Sequence, residues 1–341
     1  MFRAALGVVL AAGGAPIQIL IHIAVRKKVF IDGQEGTTGL GIHQRLAGRT
    51  DVELLEIPTA ARKDPAAKRA ILAAADVAIL CLPDVAAVET VALARDLSVK
   101  LIDASTAHRT NDAFAYGLPE LAPEQRAAIA SARFVANPGC YPTGFLLAVR
   151  PLVDAGIVPV DYPITVHALS GYSGGGKKMI QAFREHDHRG ESPDWTARPY
   201  ALTLAHKHVA EMHVFGKFTF APLFCPIVGN YYQGMIVTVP LHVRALKKRA
   251  SLTDVHEVLA ARYAGEGFVR VLPVGGGDAV EGGLLSPTAC NGTNSLELLV
   301  SGNDEQILVS ARLDNLGKGA SGAAVQNLNL MLGFDESAGL T

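Results

Sequence analysis

The chain has 341 residues, 49% hydrophobic and 18% charged, with a formal net charge of −1; this length suits two domains, and this composition excludes wholesale disorder. No long basic run offers a surface to nucleic acid. The four cysteines form no CxxC pair, so the sequence predicts no disulfide framework, no metal knuckle and a reduced, cytoplasmic setting.

The N-terminal segment is apolar. Residues 4–25 contain few polar side chains, and a basic triplet follows them directly. Three interpretations stay open: an extension from an upstream start, a surface helix, or a targeting segment. Glycine and proline interrupt the run, which argues against a membrane anchor. We expect residues 1–26 to be a leader outside the fold, which begins at Lys27.

The first half of the chain alternates short buried strands with alanine- and leucine-rich helical stretches. Because these strands are apolar throughout rather than on one face, the pattern predicts a Rossmann-like, doubly wound parallel sheet. The predicted strands are 28–31, 52–57, 76–83, 99–103 and 133–136, and the predicted helices are 64–75 and 84–96.

A glycine turn closes the first strand and opens a helix. Gly33, Gly36 and Gly39 give the spacing GxxGxxG, a variant of the dinucleotide fingerprint. Glycine permits a tight turn and lets a pyrophosphate approach the backbone at the positive end of a helix. The alternative is an ordinary turn, but its place after the first strand of an alternating half favours a cofactor site.

Basic residues after the second strand bear on the choice of cofactor. Glu56 is about where an acid binds the ribose in NAD enzymes, but we expect it to lie within the strand. Arg62 and Lys63 follow and are placed to bind a 2′-phosphate, which favours NADP. Lys68 and Arg69 are interpreted as a solvated helix face.

The fourth strand ends in Asp103-Ala-Ser-Thr-Ala-His-Arg109, at the same carboxyl edge of the sheet. Arg109 has two open interpretations. Its guanidinium is suited to clamp a carboxylate or phosphate of the substrate with two parallel hydrogen bonds. It is equally suited to a structural ion pair.

Cys140 lies in the segment Asn137-Pro-Gly-Cys-Tyr-Pro-Thr-Gly144, between the fifth strand and a helical run. This places the thiol at a helix N-terminus, where the dipole and free amides stabilise a thiolate and an oxyanion. The alternative is a buried structural cysteine, which is our interpretation of the other three. The adjoining glycine and prolines favour a rigid, exposed nucleophile.

After about residue 150 strands dominate, and partial alternation predicts an α+β domain with a mainly antiparallel sheet. A glycine-rich loop follows its first strand, and we expect Ser170, Gly171 and Lys177 there to bind substrate. The predicted strands are 163–169, 217–222, 235–243, 268–272, 295–300 and 306–313, with helices at about 252–264 and 318–332.

A thiolate beside a nicotinamide predicts attack on an acyl phosphate, loss of phosphate and reduction of the thioester, which requires an acid–base partner. His206 and His208 are the candidates. If the segment is helical, Glu211 is placed to orient His208. Two surface histidines or a zinc site are the alternatives, and zinc lacks further ligands at suitable spacing.

The chain resembles the N-acetyl-gamma-glutamyl-phosphate reductases, especially their shorter second type. The resemblance covers residues 28 to about 333, nearly everything after the leader. Its motifs are KVFIDGQEGTTG from Lys28, DASTAHR from Asp103, YGLPEL from Tyr116, ANPGCYPTG from Ala136, SGYSGGGKK from Ser170, LAHKHVAEM from Leu204 and DNLGKGASGAAVQNLN from Asp314.

This resemblance implies an NADPH-dependent oxidoreductase of arginine biosynthesis. Cys140 would form the thioester, and His208 or His206 would move the proton. Thr37 and Thr38 would join the glycines at the pyrophosphate, with Ser105 and Asn327 also at the cofactor. The resemblance also implies a dimer or tetramer, an NADP-binding domain of residues 27–141 and 314–341, and a catalytic domain of residues 142–313.

Two other functions remain in view. Aspartate-semialdehyde dehydrogenase shares the chemistry and architecture, but its C-terminal arginine-and-histidine segment is missing here. A non-catalytic NADP-binding sensor would share the fold. Cys140 on its turn, together with the histidine pair, argues against a sensor.

Overall fold

The computed structural model describes residues 26–188 and 195–341, so residues 1–25 of the predicted leader lie outside the described residues. Its first sheet is wholly parallel, in the order β2-β1-β3-β4-β6-β5, which confirms the predicted doubly wound architecture. The strands are β1 (Lys27–Asp32), β2 (Val52–Leu55), β3 (Val77–Leu80), β4 (Lys100–Asp103), β5 (Ala115–Tyr116) and β6 (Phe134–Ala136).

Four α-helices belong to the first half, among residues 26–136. Strand β3 is buried along its whole length, as expected of a central parallel strand covered on both faces. Asp64 caps one helix by accepting a hydrogen bond from the Ala66 amide, with proline at the first helical position. The helices are α1 (Thr37–Leu46), α2 (Pro65–Ala74), α3 (Asp84–Leu93) and α4 (Gln125–Ser131).

The second sheet has seven strands in the order β11-β12-β13-β10-β7-β9-β8. Four of its six pairings are antiparallel, which confirms a mainly antiparallel sheet. Its strands are β7 (Thr165–Gly171), β8 (Ala197–Pro199), β9 (Leu223–Gly229), β10 (Met235–His242), β11 (Val269–Val271), β12 (Leu296–Gly302) and β13 (Gln306–Leu313).

The helices of this half, among the residues that the structure describes, are α5 (Cys140–Asp154), α6 (Gly176–His188), α7 (Val209–Gly216) and α8 (Leu252–Arg262). Helices α5 and α8 pack on the sheet, and α7 packs on α5. Helix α5 packs on β10 and β13, and its residues from Tyr141 to Val153 are all buried. A side chain at Gly144 would lie 2.9 Å from Val237 Cγ2, so this glycine allows the helix to approach β10 closely.

The strand predicted at residues 217–222 is wrong. Helix α7 occupies the preceding residues and ends at Lys217, which adopts the left-handed conformation with φ 61°. The chain then turns, and the strand β9 begins only at Leu223. Because the apolar residues after Lys217 were assigned to a strand, the prediction placed it several residues early.

The C-terminal segment returns to the first sheet. A π-helical turn, Gly317–Ser321, leads into helix α9 (Gly322–Leu332). The predicted helical stripe is confirmed: Val325, Leu328 and Met331 are buried in one core with Val29 and Ile31 of β1. The helix ends at Gly333, with φ 71°.

None of the described helices has both the length and the apolar character needed to cross a bilayer.

Candidate active site

A cavity of about 360 Å³ lies at the carboxyl edge of the first sheet, where the second half of the chain covers it. Segments that are remote in sequence line it, among them the glycine turn, the loop after β4, the cysteine turn, the second glycine loop, the histidine segment and the π-helical turn. Their lining residues include Gly36, Thr37, Thr38, Arg109, Asn137, Gly139, Cys140, Ser173, Lys177, Tyr200, His206, Lys207, His208 and Gly319.

The cysteine turn presents its thiol as the first residue of α5, with Gly139 at the N-cap. A side chain at Gly139 would lie 2.7 Å from His208 Nε2 and 2.8 Å from Arg109 Nη1. A side chain at Gly319 would lie 2.7 Å from Cys140 Cβ. Glycine is therefore required on both sides of the thiol, because the imidazole, the guanidinium and the cysteine itself occupy the space.

The protonation of Cys140 differs from the sequence expectation. Burial raises the pKa of this thiol to about 11, although Arg109, the Tyr141 amide and Lys207 act in the opposite direction. A helix N-terminus alone does not keep a thiolate when the group is removed from water. At neutral pH the Cys140 thiol is therefore protonated and needs a base before it can attack.

His208 is the side chain best suited to act as this base. It is buried, and burial, followed by the nearby Arg109, lowers its pKa well below 6.5, so the imidazole is neutral. Its Nδ1 is buried without a hydrogen-bond partner among the described residues. A neutral ring with its Nε2 against Gly139 is able to accept the proton of the neighbouring thiol.

His206 has a different environment. Its Nδ1 accepts a hydrogen bond of 3.1 Å from the His208 backbone N–H, so a neutral His206 carries its proton on Nε2. Burial lowers its pKa to about 4. The two imidazole rings lie 4.7 Å apart, and the His206 ring also contacts Tyr141 and Tyr200. The hydrogen bond fixes the tautomer and presents Nε2–H as a donor.

The predicted contact between Glu211 and His208 is wrong. The buried Glu211 carboxylate accepts hydrogen bonds from Arg109 Nη1 at 2.7 Å, from Tyr116 Oη at 2.9 Å and from the Gly139 amide at 2.9 Å. A guanidinium and a backbone amide satisfy a buried carboxylate more fully than an imidazole does. Glu211 thus holds the cysteine turn rather than the histidine.

For Arg109, the ion-pair interpretation is the one observed. Besides Glu211, its guanidinium donates to the Ala104 carbonyl at 3.1 Å. Burial lowers its pKa, but Glu211 outweighs burial and the pKa remains above the ordinary value. These contacts leave the buried Nε without a partner among the described residues, and the side chain lines the cavity.

The glycine turn has the geometry of a dinucleotide site. A side chain at Gly33, whose φ is +86°, would lie 2.3 Å from the Cys81 carbonyl oxygen. A side chain at Gly39 would lie 2.5 Å from the Gly33 carbonyl oxygen, and Gly36 is the N-cap of α1. The backbone amides that open α1 are therefore free of side-chain cover, as a pyrophosphate requires.

A second cavity, of about 370 Å³, adjoins this turn. Arg62 and Lys63 line it, and Arg62 forms an ion pair with Glu35. Lys68 also lines it and pairs with Asp32 at 2.8 Å, so its assignment to a solvated face is wrong. The reason is that α2 turns this residue towards β1 rather than outwards.

The predictions for Arg69 and for Glu56 have opposite outcomes. Arg69 pairs with Asp96 and is partly exposed, in agreement with a solvated face. Glu56, expected within the second strand, is exposed and lies one residue beyond its end at Leu55. The strand is shorter than predicted because the proline two residues after Glu56 favours a turn.

The other candidates divide between the cavity wall and the layer behind it. Lys177 lines the cavity. Ser170 and Gly171 are buried behind the wall, where Ser170 Oγ donates to the Gly171 carbonyl. Ser105 Oγ donates to Asp103 at 2.8 Å. Asn327 Nδ2 donates to the Gly117 carbonyl at 2.9 Å, while its buried Oδ1 has no partner among the described residues.

Sequence reasoning missed several residues of the wall. Lys207 stands between the two predicted histidines, and this position was a usable signal. Tyr200 shares a hydrogen bond of 2.8 Å with Tyr141 through their hydroxyls, and nothing in the sequence indicated it. Within residues 26–188 and 195–341, no group of three or more His, Cys, Asp or Glu side chains is arranged to hold a metal ion.

Two family models match the chain. The "Semialdehyde dehydrogenase, NAD binding domain" model matches residues 42–129. The "Semialdehyde dehydrogenase, dimerisation domain" model matches residues 140–315, beginning at Cys140. The first match contains β2 to β5 of the parallel sheet, and the second contains all seven strands of the second sheet.

Curated relatives and solved structures agree with these models. N-acetyl-gamma-glutamyl-phosphate reductase 2 of Nostoc sp. is 50% identical over 321 residues, covering 92% of this chain and 99% of the relative. N-acetyl-gamma-glutamyl-phosphate reductase of Burkholderia lata is 50% identical over 312 residues, covering 91% and 98%. Aspartate semialdehyde dehydrogenase II of Vibrio cholerae, complexed with ASA, is 17% identical with a TM-score of 0.68, covering 90% and 98%. That last similarity concerns the fold alone.

Proposed function

The chain belongs to the N-acetyl-gamma-glutamyl-phosphate reductases, and we propose that it reduces N-acetyl-gamma-glutamyl phosphate to the semialdehyde and phosphate in arginine biosynthesis. The observation that carries this proposal is the shared cavity. Cys140 and His208 line it together with Gly36 and Thr37 of the glycine turn. A nucleophile, a base and a nicotinamide cofactor would therefore meet at one place.

The first step forms a thioester. As Cys140 Sγ attacks the carbonyl carbon of the acyl phosphate, its proton passes to the neutral His208, and the C–O bond to phosphate breaks with its electrons on the phosphate. The amides at the start of α5 are placed to stabilise the oxyanion of the tetrahedral adduct. The imidazolium of His208, disfavoured by burial and by the nearby Arg109, is a strong acid and is ready to return the proton.

The residues of the site fit a bound nicotinamide cofactor. Gly33 and Gly39 leave the start of α1 open, and the unpartnered Asn327 Oδ1 is suited to accept a hydrogen bond from the carboxamide. When bound, the reduced cofactor would supply the hydride that converts the thioester to the aldehyde. The oxyanion of the reduced adduct would collapse to the aldehyde carbonyl as the C–S bond breaks, and His208 would return its proton to the leaving Cys140 sulfur.

The test of this function is the reverse reaction, assayed as phosphate-dependent NADP reduction. N-acetylglutamate semialdehyde is set against aspartate semialdehyde as the competing substrate. We expect kcat/KM to favour the acetylated substrate by at least about 10²-fold, because a built site loses paired contacts when a substrate lacks its groups. Equal rates, or a preference for aspartate semialdehyde, would refute the assignment.

We also propose NADP rather than NAD as the cofactor, on the basis of the second cavity. Arg62 and Lys63, which follow β2 in the chain, line this cavity. Glu56 is not among its lining residues. A guanidinium and an ammonium there are suited to a 2′-phosphate. The turn residues Gly36, Thr37 and Thr38 would hold the pyrophosphate, with Ser105 behind them.

Replacing Arg62 and Lys63 together by alanine is expected to raise KM for NADPH by about ten- to a hundredfold, the equivalent of one or two charge-assisted hydrogen bonds. KM for NADH should change little, since NADH has no 2′-phosphate. Steady-state kinetics with both cofactors measure this. Arg69→Ala is the matched control, because Arg69 pairs with Asp96 outside the cavity. A wild-type preference for NADH would instead favour Glu56 as the ribose ligand.

We further propose that two copies associate through the second sheet, and that residues 142–313 form the oligomerisation domain beside an NADP-binding domain of residues 27–141 and 314–341. Helices α5 and α8 pack on the sheet and on each other, and the strand residues that alternate with the buried ones form the opposite face. That face is half-exposed and largely uncharged. Its residues are Thr165, His167, Leu169, Leu223, Cys225, Ile227, Ile236, Thr238, Pro240 and Leu308.

A charge on this face is expected to separate the copies. The wild-type chain should have at least twice the mass of one 35.9 kDa chain, either as a dimer or as a tetramer built from such dimers. Ile236→Asp should shift it to the single-chain mass at micromolar concentration, because a carboxylate would be buried without a partner. Light scattering after size exclusion measures both. Val85→Asp, on the exposed side of α3, is the control. A monomeric wild type would refute the interface.

A further inference from the structure

Lys318 is a lysine with no exposed surface, held by three acceptors. Its Nζ donates to Glu120 Oε1 at 2.8 Å, to Glu120 Oε2 at 2.9 Å and to Gln326 Oε1 at 2.6 Å. The face of Phe268 lies 5.6 Å away. All three ammonium hydrogens are therefore used, which is the condition under which a buried charge is tolerated.

The position of Lys318 links this cluster to the thiol. It is the second residue of the π-helical turn, and the third, Gly319, packs on Cys140. The fourth, Ala320, lines the cavity and accepts a hydrogen bond of 3.1 Å from Asn137 Nδ2. A π-helical turn is uncommon and widens the backbone, so it needs outside contacts to hold its geometry.

The other end of the cluster is anchored in both halves of the chain. The Glu120 carbonyl accepts a hydrogen bond of 2.7 Å from Arg262 of α8, and its carboxylate also accepts one of 2.8 Å from Gln326 of α9. Burial raises the pKa of Glu120, but the Lys318 ammonium outweighs burial and keeps the carboxyl ionised. The ion pair thus connects the loop after β5, helix α9 and the π-helical turn.

Stability alone does not account for such a pair. A buried ion pair can often be replaced by apolar groups of similar size at little cost, whereas the loss of one partner is strongly destabilising. An apolar pair cannot reproduce the directional hydrogen bonds of Lys318. Its three hydrogen bonds hold the Lys318 backbone in one orientation, and they thereby hold the adjacent Gly319.

We propose that Lys318 is a positioning residue for catalysis, whose ion pair with Glu120 holds the π-helical turn so that Gly319 confines Cys140 in its attacking orientation. This role rests on the proposed function, in which Cys140 is the nucleophile. It acts through Gly319, since Lys318 itself does not line the cavity.

The test compares Lys318→Met with the double variant Glu120→Gln/Lys318→Met. The single variant leaves a buried carboxylate unpaired and is expected to lower Tm or to fail to fold. The double variant removes both charges, so its Tm should return towards the wild-type value. Its kcat should stay about ten- to a hundredfold low, the usual cost of a small misplacement of a reacting group, with KM for the cofactor within about twofold. If kcat returns together with Tm, the pair is merely structural and the proposal is wrong.

Alkylation of Cys140 by iodoacetamide, followed by mass spectrometry without substrate, provides a second readout. In the double variant its rate and pH profile should change, because the thiol is no longer confined. Gln326→Met is a milder second variant, because it removes one acceptor and keeps the ion pair. It should change the rate and the pH profile of alkylation in the same direction as the double variant. Unchanged alkylation in both variants would overturn the proposal. Because no substrate is used, this result is independent of whether the acyl phosphate has been correctly assigned.

A matched buried pair serves as control. Arg312 donates to Glu297 at 2.8 Å within the second sheet, and neither residue lines the cysteine cavity. Glu297→Gln/Arg312→Met is expected to alter Tm while leaving the alkylation profile of Cys140 unchanged. An equal change in that profile for both pairs would show a general loss of rigidity and would overturn the role assigned to Lys318.

Discussion

Cys140→Ser is expected to lower kcat by at least about 10³-fold, while the affinity for NADPH stays within about twofold. Serine lacks a proton acidic enough to leave near neutral pH, so the thioester cannot form, whereas the proposed pyrophosphate and 2′-phosphate contacts of the cofactor lie at the glycine turn and the second cavity and are left intact. Steady-state turnover and a fluorescence titration of the cofactor measure the two quantities. Cys225→Ser is the control and should keep its turnover, because Cys225 of β9 does not line the cavity that holds Cys140. A serine variant retaining more than about a tenth of the rate would exclude covalent catalysis by Cys140.

The raised pKa of Cys140 adds a dependence on pH. Because the pKa is raised to about 11, the thiol stays protonated throughout the neutral range. Below that pKa the thiolate fraction increases about tenfold per pH unit, so labelling by iodoacetamide should increase likewise as the pH rises. Protection of the thiol by the acyl phosphate would distinguish an enzyme from an NADP-binding sensor, which has no reason to cover Cys140.

His208→Asn is expected to lower kcat by about 10²- to 10⁴-fold, the usual range for the loss of an acid–base group. Asparagine can occupy the space beside Gly139 but cannot accept the proton of Cys140. His206→Asn should mainly raise KM, because His206 presents an Nε2–H donor and its pKa, near 4, keeps it neutral. Steady-state kinetics of both variants test the ranking. The reverse order would move the acid–base role to His206.

The pH profile gives an independent check on His208. Burial lowers its pKa well below 6.5, so the imidazole remains a competent base on the acid side of that value. The acidic limb of kcat/KM should therefore lie below pH 6.5 in the wild type. A limb at or above 6.5 would indicate an exposed histidine or another group as the base.

Sequence patterns predicted those structural features that depend on residues close together in the chain. The position of Cys140 at the start of a helix followed from a strand, a turn with glycine and proline, and an apolar run. The stripe of α9 followed from helical spacing in the same way. The strand placed at residues 217–222 failed because a left-handed residue, Lys217, ended α7 there, and single-sequence patterns do not signal such an end.

Contacts between remote segments were beyond reach of the sequence. Glu211 was expected to face His208, three residues away, but it pairs with Arg109, which is 102 residues distant. Lys318 and Glu120 are separated by 198 residues, and neither showed a pattern that singled out the other. Burial of Cys140 was equally invisible, and burial is what raises its pKa above the value expected at a helix N-terminus.

Helix α9 completes the core of the first sheet only late in the synthesis of the protein. Its side chains complete the core that contains β1. The ribosome makes α9 roughly 300 residues after β1, so these two contacting elements have a very large sequence separation. The parallel sheet that emerges first consequently exposes apolar surface until the chain has been extended to residue 332.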